Sequence, residues 1–293
     1  MSYVPASAGD RGQNRRVDVS VIIVSHNHRA HVQANLPSMF AASPGLSLEV
    51  LVIDNTGQDG LAPWLRQHWP QVDLICNARP MSFAANVNQG MRRLALGRYV
   101  AALNPDVRAM PGLFAEAAAF MDANPDVGIM GPQLLNTNGT IQDSCRRFST
   151  PMVTLLRGLH LDGVFRSSQA VRSYLMSDFS YDRVIDVDWV TGAMMIARRK
   201  AVEAAGGMDE RFRGAYSEDQ DWCCQMWRAG WRVCYAPQVR AVHDYQRAGK
   251  RRPWSKMGYL QLVNAVRMFH KYGWRLSRGL PGRAEPVEQR RPA

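Results

Sequence analysis

The chain has 293 residues, 46% of them hydrophobic, enough to bury a substantial core in one α/β domain or two small ones. Its longest strongly apolar runs, such as Val19–Val24 and Val100–Leu103, fall far short of the roughly 20 residues of a bilayer-spanning helix, and Met1–Arg16 lacks the apolar centre of a secretory signal, which points to the cytoplasm. A formal net charge of +11 calls for an anionic partner: nucleic acid, a membrane surface or a phosphorylated small molecule.

In the first half, short apolar runs alternate with amphipathic segments, which predicts a parallel sheet flanked by helices. Strands are expected at Val19–Val24, Glu49–Ile53, Val72–Ile75 and Tyr99–Leu103, with helices at His31–Ala42, Leu61–His68 and Phe83–Ala95 between them. Pro111 suits the first turn of a further helix reaching about Ala123, and Val127–Met130 follows as a strand. Past Gly131 the alternation weakens. Asn136–Gly139 reads as a turn between two strands, and Ser149–Asp186 has no firm pattern, as a flap or acceptor loop would. Asp186–Arg198 is strand-like. Trp222, Met226 and Trp227 keep helical spacing in Asp219–Ala229, which Gly230 ends. Trp254–Tyr272 is amphipathic, with Met257, Leu260, Val263, Val266 and Phe269 three apart, and it either packs on the domain or lies on a membrane surface.

Five cysteines (Cys76, Cys145, Cys223, Cys224 and Cys234) show neither CxxC nor a Cys/His zinc spacing, so free, mostly buried thiols are expected. Cys223 and Cys224 belong with Trp222, Met226 and Trp227 to an apolar helical stripe. Basic residues gather at Arg146-Arg147, Arg198-Arg199-Lys200, Lys250-Arg251-Arg252 and from Arg275 to Arg291. Each cluster reads as solvated surface, and the last two equally suit anionic lipid head groups or a lipid-diphosphate acceptor.

Ligands of parallel α/β sheets bind beyond the carboxyl ends of the strands. There the first, second and fourth strands end in Ser25-His26-Asn27, Asp54-Asn55 and Asn104-Pro105-Asp106. Any one of these suits a helix cap or turn, but three at one sheet edge predict a polar crevice. Asp106, on a Pro-restricted turn, is a candidate ligand for Mg²⁺ or Mn²⁺, which need few protein oxygens when a diphosphate completes the shell. In Glu218-Asp219-Gln220-Asp221 the acids suit a helix N-terminus, and equally a general base projecting from a loop-to-helix junction. His243 follows the Val233–Tyr235 run at a strand end or loop. No Ser/His/Asp or Cys/His signature appears, no Gly-rich phosphate loop follows the first strand, and no nucleic-acid-binding signature is present, so a nucleic-acid partner is not expected.

Taken in order, Val19–Asn27, Glu49–Asn55, Phe83–Gly90, Leu103–Asp106, Val190–Ala193, Gly207–Phe212, Glu218–Trp222 and His243 resemble glycosyltransferase family 2, most closely its rhamnosyltransferase-like branch of bacterial surface-polysaccharide synthesis. The resemblance covers roughly Asp18 to Lys271. It implies a GT-A (Rossmann-like) fold: a mixed, mostly parallel sheet flanked by helices, with a C-terminal helical extension. Residues 17–245 would form the catalytic domain, 246–278 a basic helical extension, and 1–16 and 279–293 a flexible segment and a disordered tail.

By that resemblance Asp54, with Ser25 and Asn27, contacts the nucleoside. Asn86, Asn88 and Asn104 run near the nucleotide sugar; Asp106 and His243 serve the divalent metal and diphosphate. Asp219, next to Glu218, is the catalytic base, and Trp189, Thr191 and Gly192 line the acceptor or sugar pocket. The implied reaction is an inverting transfer from a nucleotide-diphosphate sugar, deoxythymidine-diphosphate rhamnose before a uridine-diphosphate hexose, to a glycan or lipid-linked glycan; a lipid carrier would suit the basic C-terminal segment and bring peripheral contact with an anionic membrane. The family's usual Gly-Phe-Ala reads Met81-Ser82-Phe83-Ala84 here, which implies different donor-sugar contacts in that loop. The competing reading is a noncatalytic carbohydrate- or lipid-surface-binding relative.

Overall fold

The computed structural model describes residues 17–158, 163–165, 167–177, 179–213, 217–244 and 256–274. The expected flexible segment 1–16, the Lys250-Arg251-Arg252 cluster, the basic tail from Arg275 and the disordered end expected at 279–293 lie outside them.

The first strand, β1 (Val19–Ser25), and the second, β2 (Leu48–Asp54), are rich in β-branched residues and mostly buried, as strands inside a parallel sheet covered on both faces must be. Between them runs α1 (Arg29–Ala41); then come α2 (Leu61–His68), β3 (Asp73–Cys76), α3 (Phe83–Arg93), β4 (Tyr99–Leu103), β5 (Val107–Ala109), α4 (Leu113–Ala123) and β6 (Val127–Leu135). The second half holds β7 (Cys145–Arg146), α5 (Pro151–Gly158), α6 (Gln169–Leu175), β8 (Ile185–Asp186), β9 (Trp189–Val190), β10 (Met194–Arg198), α7 (Arg199–Ala205), α8 (Glu218–Arg228), β11 (Arg232–His243) and α9 (Lys256–Tyr272).

Among the described residues nine strands form one sheet of order β3-β2-β1-β4-β10-β6-β11-β5, with β8 pairing β11, while β7 and β9 form a separate pair. The β3-β2-β1-β4 part is parallel, β10 enters antiparallel between β4 and β6, and β11 runs parallel to β6. Strand periodicity divides the core. Val19, Val21 and Ile23 pack with α1 and α4 through Leu36, Met39 and Phe114, whereas Ile22 faces α3 and α8 through Val87, Trp222 and Met226. Gly90 lets α3 approach β1 closely, since a Cβ there would sit 2.9 Å from Ile22 Cγ2.

Three segments differ from the sequence reading. Asp186–Arg198 is not one strand but β8, β9 and β10, interrupted by a turn at Thr191-Gly192-Ala193. The Ser149–Asp186 stretch contains α5 and α6, and the Ser168 hydroxyl caps α6 by accepting from Val171 N–H. β11 continues past the Val233–Tyr235 run to His243 through a register shift between Ala236 and Arg240, around Pro237, which cannot donate to the ladder. Among the described residues no helix is long and apolar enough to cross a membrane.

Candidate active site

Parallel registration of β1 with β2 sets Ser25 beside Asp54 at the carboxyl edge of the sheet. Both are buried, and their Ser25 Oγ and Asp54 Oδ2 atoms have no hydrogen-bond partner. Asp106 Oδ1 likewise makes no hydrogen bond, although the His243 ring lies 3.5 Å from it. An unsatisfied buried polar atom costs about 1–3 kcal/mol, so three at one edge mark a place where a ligand supplies what the fold does not. The other oxygen of Asp54 is occupied, accepting from Gly57 N–H at 2.9 Å in a tight turn after β2. Asn27, at φ 58°, holds the loop after β1 to this turn by accepting from the Thr56 hydroxyl at 3.0 Å.

A cavity of about 280 Å³ opens at this edge, lined among others by His26, His28, Asn55, Asn86, Asn104 and Asp106. A larger open groove of about 620 Å³, between residues 180–184 and the β11 bulge, contains none of these strand-end residues. Burial, and next the neighbouring His31, lowers the His28 pKa below its ordinary value, so this ring faces the cavity neutral at pH 7.

The meeting of Asp106 and His243 is a product of sheet pairing. Asp106 sits between β4 and β5, and β5 pairs antiparallel with the end of β11, Val107 opposite His243. Asp244 N–H donates to Asp106 O at 3.0 Å and closes the junction. His243 Nε2 then lies 3.5 Å from Asp106 Oδ1. Its other ring nitrogen, Nδ1, is 2.9 Å from Gln142 Oε1, while Gln142 Nε2 donates to His243 O at 2.8 Å. A histidine held through Nδ1, with Nε2 3.5 Å from a carboxylate oxygen that makes no hydrogen bond, fits a divalent cation that takes further oxygens from its ligand. No group of three or more His, Cys, Asp or Glu able to hold a metal by itself occurs among the described residues. The pair therefore suits a shared shell and not an all-protein cage.

The acidic cluster reaches the same edge through backbone contacts. Asn104 N–H donates to Ala193 O at 2.9 Å, which ties the Asp106 turn to the turn between β9 and β10. One residue earlier, Gly192 N–H donates to Asp219 Oδ2 at 2.9 Å. A Cβ on Gly192 would lie 3.7 Å from Phe83 Cε1, and Phe83 lines the cavity. Asp219 occupies the first turn of α8, where its Oδ1 accepts the Gln220 N–H at 2.8 Å. Glu218 beside it is buried.

Other candidates have structural duties. Asn86 lines the cavity, yet its amide donates to Ser82 O at 2.9 Å and accepts from Asn77 at 2.7 Å. Asn88 points elsewhere, clamping the segment that follows Gly207 through Met208 O at 2.7 Å and Met208 N–H at 2.9 Å. Trp189 is buried, its indole N–H donated to Arg147 O at 2.9 Å, and is not part of the cavity wall. Thr191 N–H donates to Ser144 O at 2.9 Å and so anchors the turn carrying Gly192. The reading by residue type passed over His28 and Gln142. The only signal for His28 was its place three residues past the first strand end, and for Gln142 there was none.

Behind α8 lies a buried ion pair. Lys271 Nζ on α9 reaches Asp221 Oδ1 at 2.8 Å and Asp209 Oδ2 at 2.9 Å, and the Tyr272 hydroxyl donates to Asp221 Oδ1 at 2.7 Å. Burial raises the Asp221 pKa despite these donors, whereas Arg211 first and Lys271 second hold Asp209 well below the carboxylate range. The pair anchors α9 to the helix that presents Asp219.

A family profile described as "Glycosyltransferase like family 2" matches residues 16–257, most of the chain. An N-acetylglucosaminyl-diphospho-decaprenol L-rhamnosyltransferase of Mycobacterium tuberculosis is 27% identical over 252 residues, 81% of this chain and 79% of that one. Among solved structures the fold is similar to GalNAc-T7 with UDP, GalNAc and Mn²⁺, at TM-score 0.64 and 16% identity over 88% of this chain. It is also similar to the mannosyltransferase PcManGT from Pyrobaculum calidifontis with GDP-Man and Mn²⁺, at TM-score 0.53 and 17% identity over 88% of this chain and 75% of that one. The match spans about half of the GalNAc-T7 chain, 48%.

Proposed function

The chain belongs to glycosyltransferase-like family 2, as a nucleotide-sugar glycosyltransferase of GT-A fold, and from that premise we propose an inverting, divalent-metal-dependent transfer of rhamnose from deoxythymidine-diphosphate rhamnose to a hydroxyl of a lipid-linked glycan. One observation carries the mechanism: the Asp106–His243 pair and Asp219 are held at one sheet edge through the Asn104–Ala193 and Gly192–Asp219 hydrogen bonds. The rhamnosyl donor and lipid-diphosphate acceptor are supported by the name of the mycobacterial relative.

Ser25, Asn27 and Asp54 bind the nucleoside, with the orphaned oxygens of Ser25 and Asp54 completing their hydrogen bonds on it. Asn86 and Asn104 bound the sugar side of the cavity. Asp106 and His243 would hold Mg²⁺ or Mn²⁺, which when bound would offset the charge of the departing diphosphate. Asp219, oriented by Gly192, takes the proton of the acceptor hydroxyl as its oxygen bonds to the anomeric carbon. The bond from that carbon to the diphosphate breaks on the opposite face, and one displacement inverts the centre. Residues 17–245 form the catalytic unit, residues 246–278 its extension, and the reaction runs on the cytoplasmic side.

The test is release of nucleoside diphosphate from a panel of donors, with Mn²⁺ or Mg²⁺ and with chelator. Metal-dependent release from deoxythymidine-diphosphate rhamnose is expected, with an inverted anomeric signal in the product. Release from a uridine-diphosphate hexose alone would change the donor. No release from any donor, with no nucleotide binding, would make the protein a noncatalytic member of the family.

A further inference from the structure

Large apolar side chains exposed to solvent are unevenly distributed over the described residues. Met152 and Leu155 on α5, Tyr259, Leu262 and Val266 on α9, and Trp274 just beyond it are each 54–71% exposed. On α9 the spacing of three and four residues aligns them on one stripe. The opposite side of that helix is committed to the protein: Met268 is buried, Asn264 Nδ2 donates to Arg213 O at 2.8 Å, and Lys271 and Tyr272 bond Asp221. α5 packs against α9, and its exposed Met152 and Leu155 add apolar surface on the neighbouring helix. Exposed apolar side chains gathered on two packed helices mark an interaction surface.

Charge identifies the partner. From residue 245 to residue 284 the sequence holds ten Lys and Arg and no Asp or Glu, which is nearly the whole formal net charge of +11. Arg267 and Lys271 are turned to protein carbonyls and carboxylates, so the remaining cations flank the stripe in the sequence, Arg247, Lys250, Arg251, Arg252 and Lys256 before it and Arg275, Arg278 and Arg283 after it. A second copy of the chain would set these cations against themselves. Nucleic acid would match the charge and leave the apolar stripe in water. A bilayer with anionic head groups satisfies both halves at once: the head groups take the flanking cations, and the acyl boundary takes the stripe.

We propose that the α5–α9 face docks the protein on an anionic lipid bilayer, with Leu262, Val266 and Trp274 inserted at the head-group boundary. The inference is independent of the donor-site reading, and its test needs no turnover. Full-length protein is sedimented with sucrose-loaded vesicles of phosphatidylcholine alone or with roughly 30% phosphatidylglycerol. Partition to the anionic vesicles is expected to exceed that to neutral ones by about tenfold, and to fall about tenfold in the Leu262→Ser/Val266→Ser variant and in Arg251→Glu/Arg252→Glu. Equal melting temperatures of the variants and the wild type exclude unfolding as the cause. As a second measurement, brominated lipid quenches part of the wild-type tryptophan emission and less of it in Trp274→Phe. Equal partition of wild type and the Leu262→Ser/Val266→Ser variant overturns the proposal. So does quenching that Trp274→Phe leaves unchanged.

Discussion

Asp219 Oδ2 accepts the Gly192 N–H at 2.9 Å, so the carboxylate at the start of α8 is aimed by a backbone amide from a turn 27 residues earlier. A base held by a main-chain donor keeps its direction whatever its protonation partner does. Asp219→Asn keeps an oxygen for the Gly192 N–H, gives up the acceptor that meets Gln220 N–H at 2.8 Å, and removes proton acceptance. It is expected to lower transfer by about 10²–10⁴-fold with nucleotide affinity unchanged. Single-turnover rates with calorimetry on the same sample check both halves.

Ser25→Ala removes a buried hydroxyl that has no partner in the protein. Thermal stability should stay level or rise slightly, because nothing inside the fold is lost. Donor KM should rise by about tenfold with kcat nearly constant, the effect of one neutral hydrogen bond made equally in ground and transition states. A melting curve and a steady-state series on one variant suffice.

Removing Lys271 leaves Asp221, fully buried, without its cation. Lys271→Met is expected to destabilise by about 3 kcal/mol at neutral pH. The pH dependence has a definite sign. Asp221 has a raised folded pKa, so acid protonates it in the folded state first and the variant's deficit shrinks as pH falls towards that pKa. Asp209 has the opposite shift: its contribution persists above its unfolded pKa and is lost only as pH falls through its depressed folded value. Between neutrality and about pH 4 the change in deficit therefore reports Asp221. Denaturant melts across that range test it, and a deficit independent of pH would reject the assignment.

Four cysteines are buried and Cys76 is exposed. Burial pushes the thiol of Cys145 up to about 11 and that of Cys224 to about 12, and raises Cys223, Cys234 and Cys76 as well, so exposure and not acidity sets Cys76 apart. A disulfide-exchange reagent at neutral pH should modify one thiol in the native protein, absent in Cys76→Ser, and the other four after denaturation.

The strand ends were the legible part. Val19–Val24, Glu49–Ile53 and Tyr99–Leu103 are runs buried on both faces, so their polar termini announced Ser25, Asp54 and Asn104–Asp106 at one edge. α2 coincides with the expected Leu61–His68 because its apolar spacing is local. What stayed hidden depends on pairing between distant segments. β10 lies antiparallel between β4 and β6, and β5 against β11 is what puts His243 near Asp106, yet a short apolar run looks the same whatever its neighbour. Asn88 and Trp189 show the other limit: residue type announces a polar or aromatic contact but not whether its partner is the protein itself.

In the proposed mechanism Asp106 and His243 would hold the metal and Asp219 would take the proton, as separate duties at one edge. Calorimetric titration of Mn²⁺ and deoxythymidine diphosphate into wild type, Asp106→Ala and Asp219→Asn separates them most directly. Mn²⁺ is expected to strengthen nucleotide binding in the wild type and in Asp219→Asn, and Asp106→Ala to lose this coupling while remaining folded. Coupling that survives in Asp106→Ala, or disappears in Asp219→Asn, would contradict it.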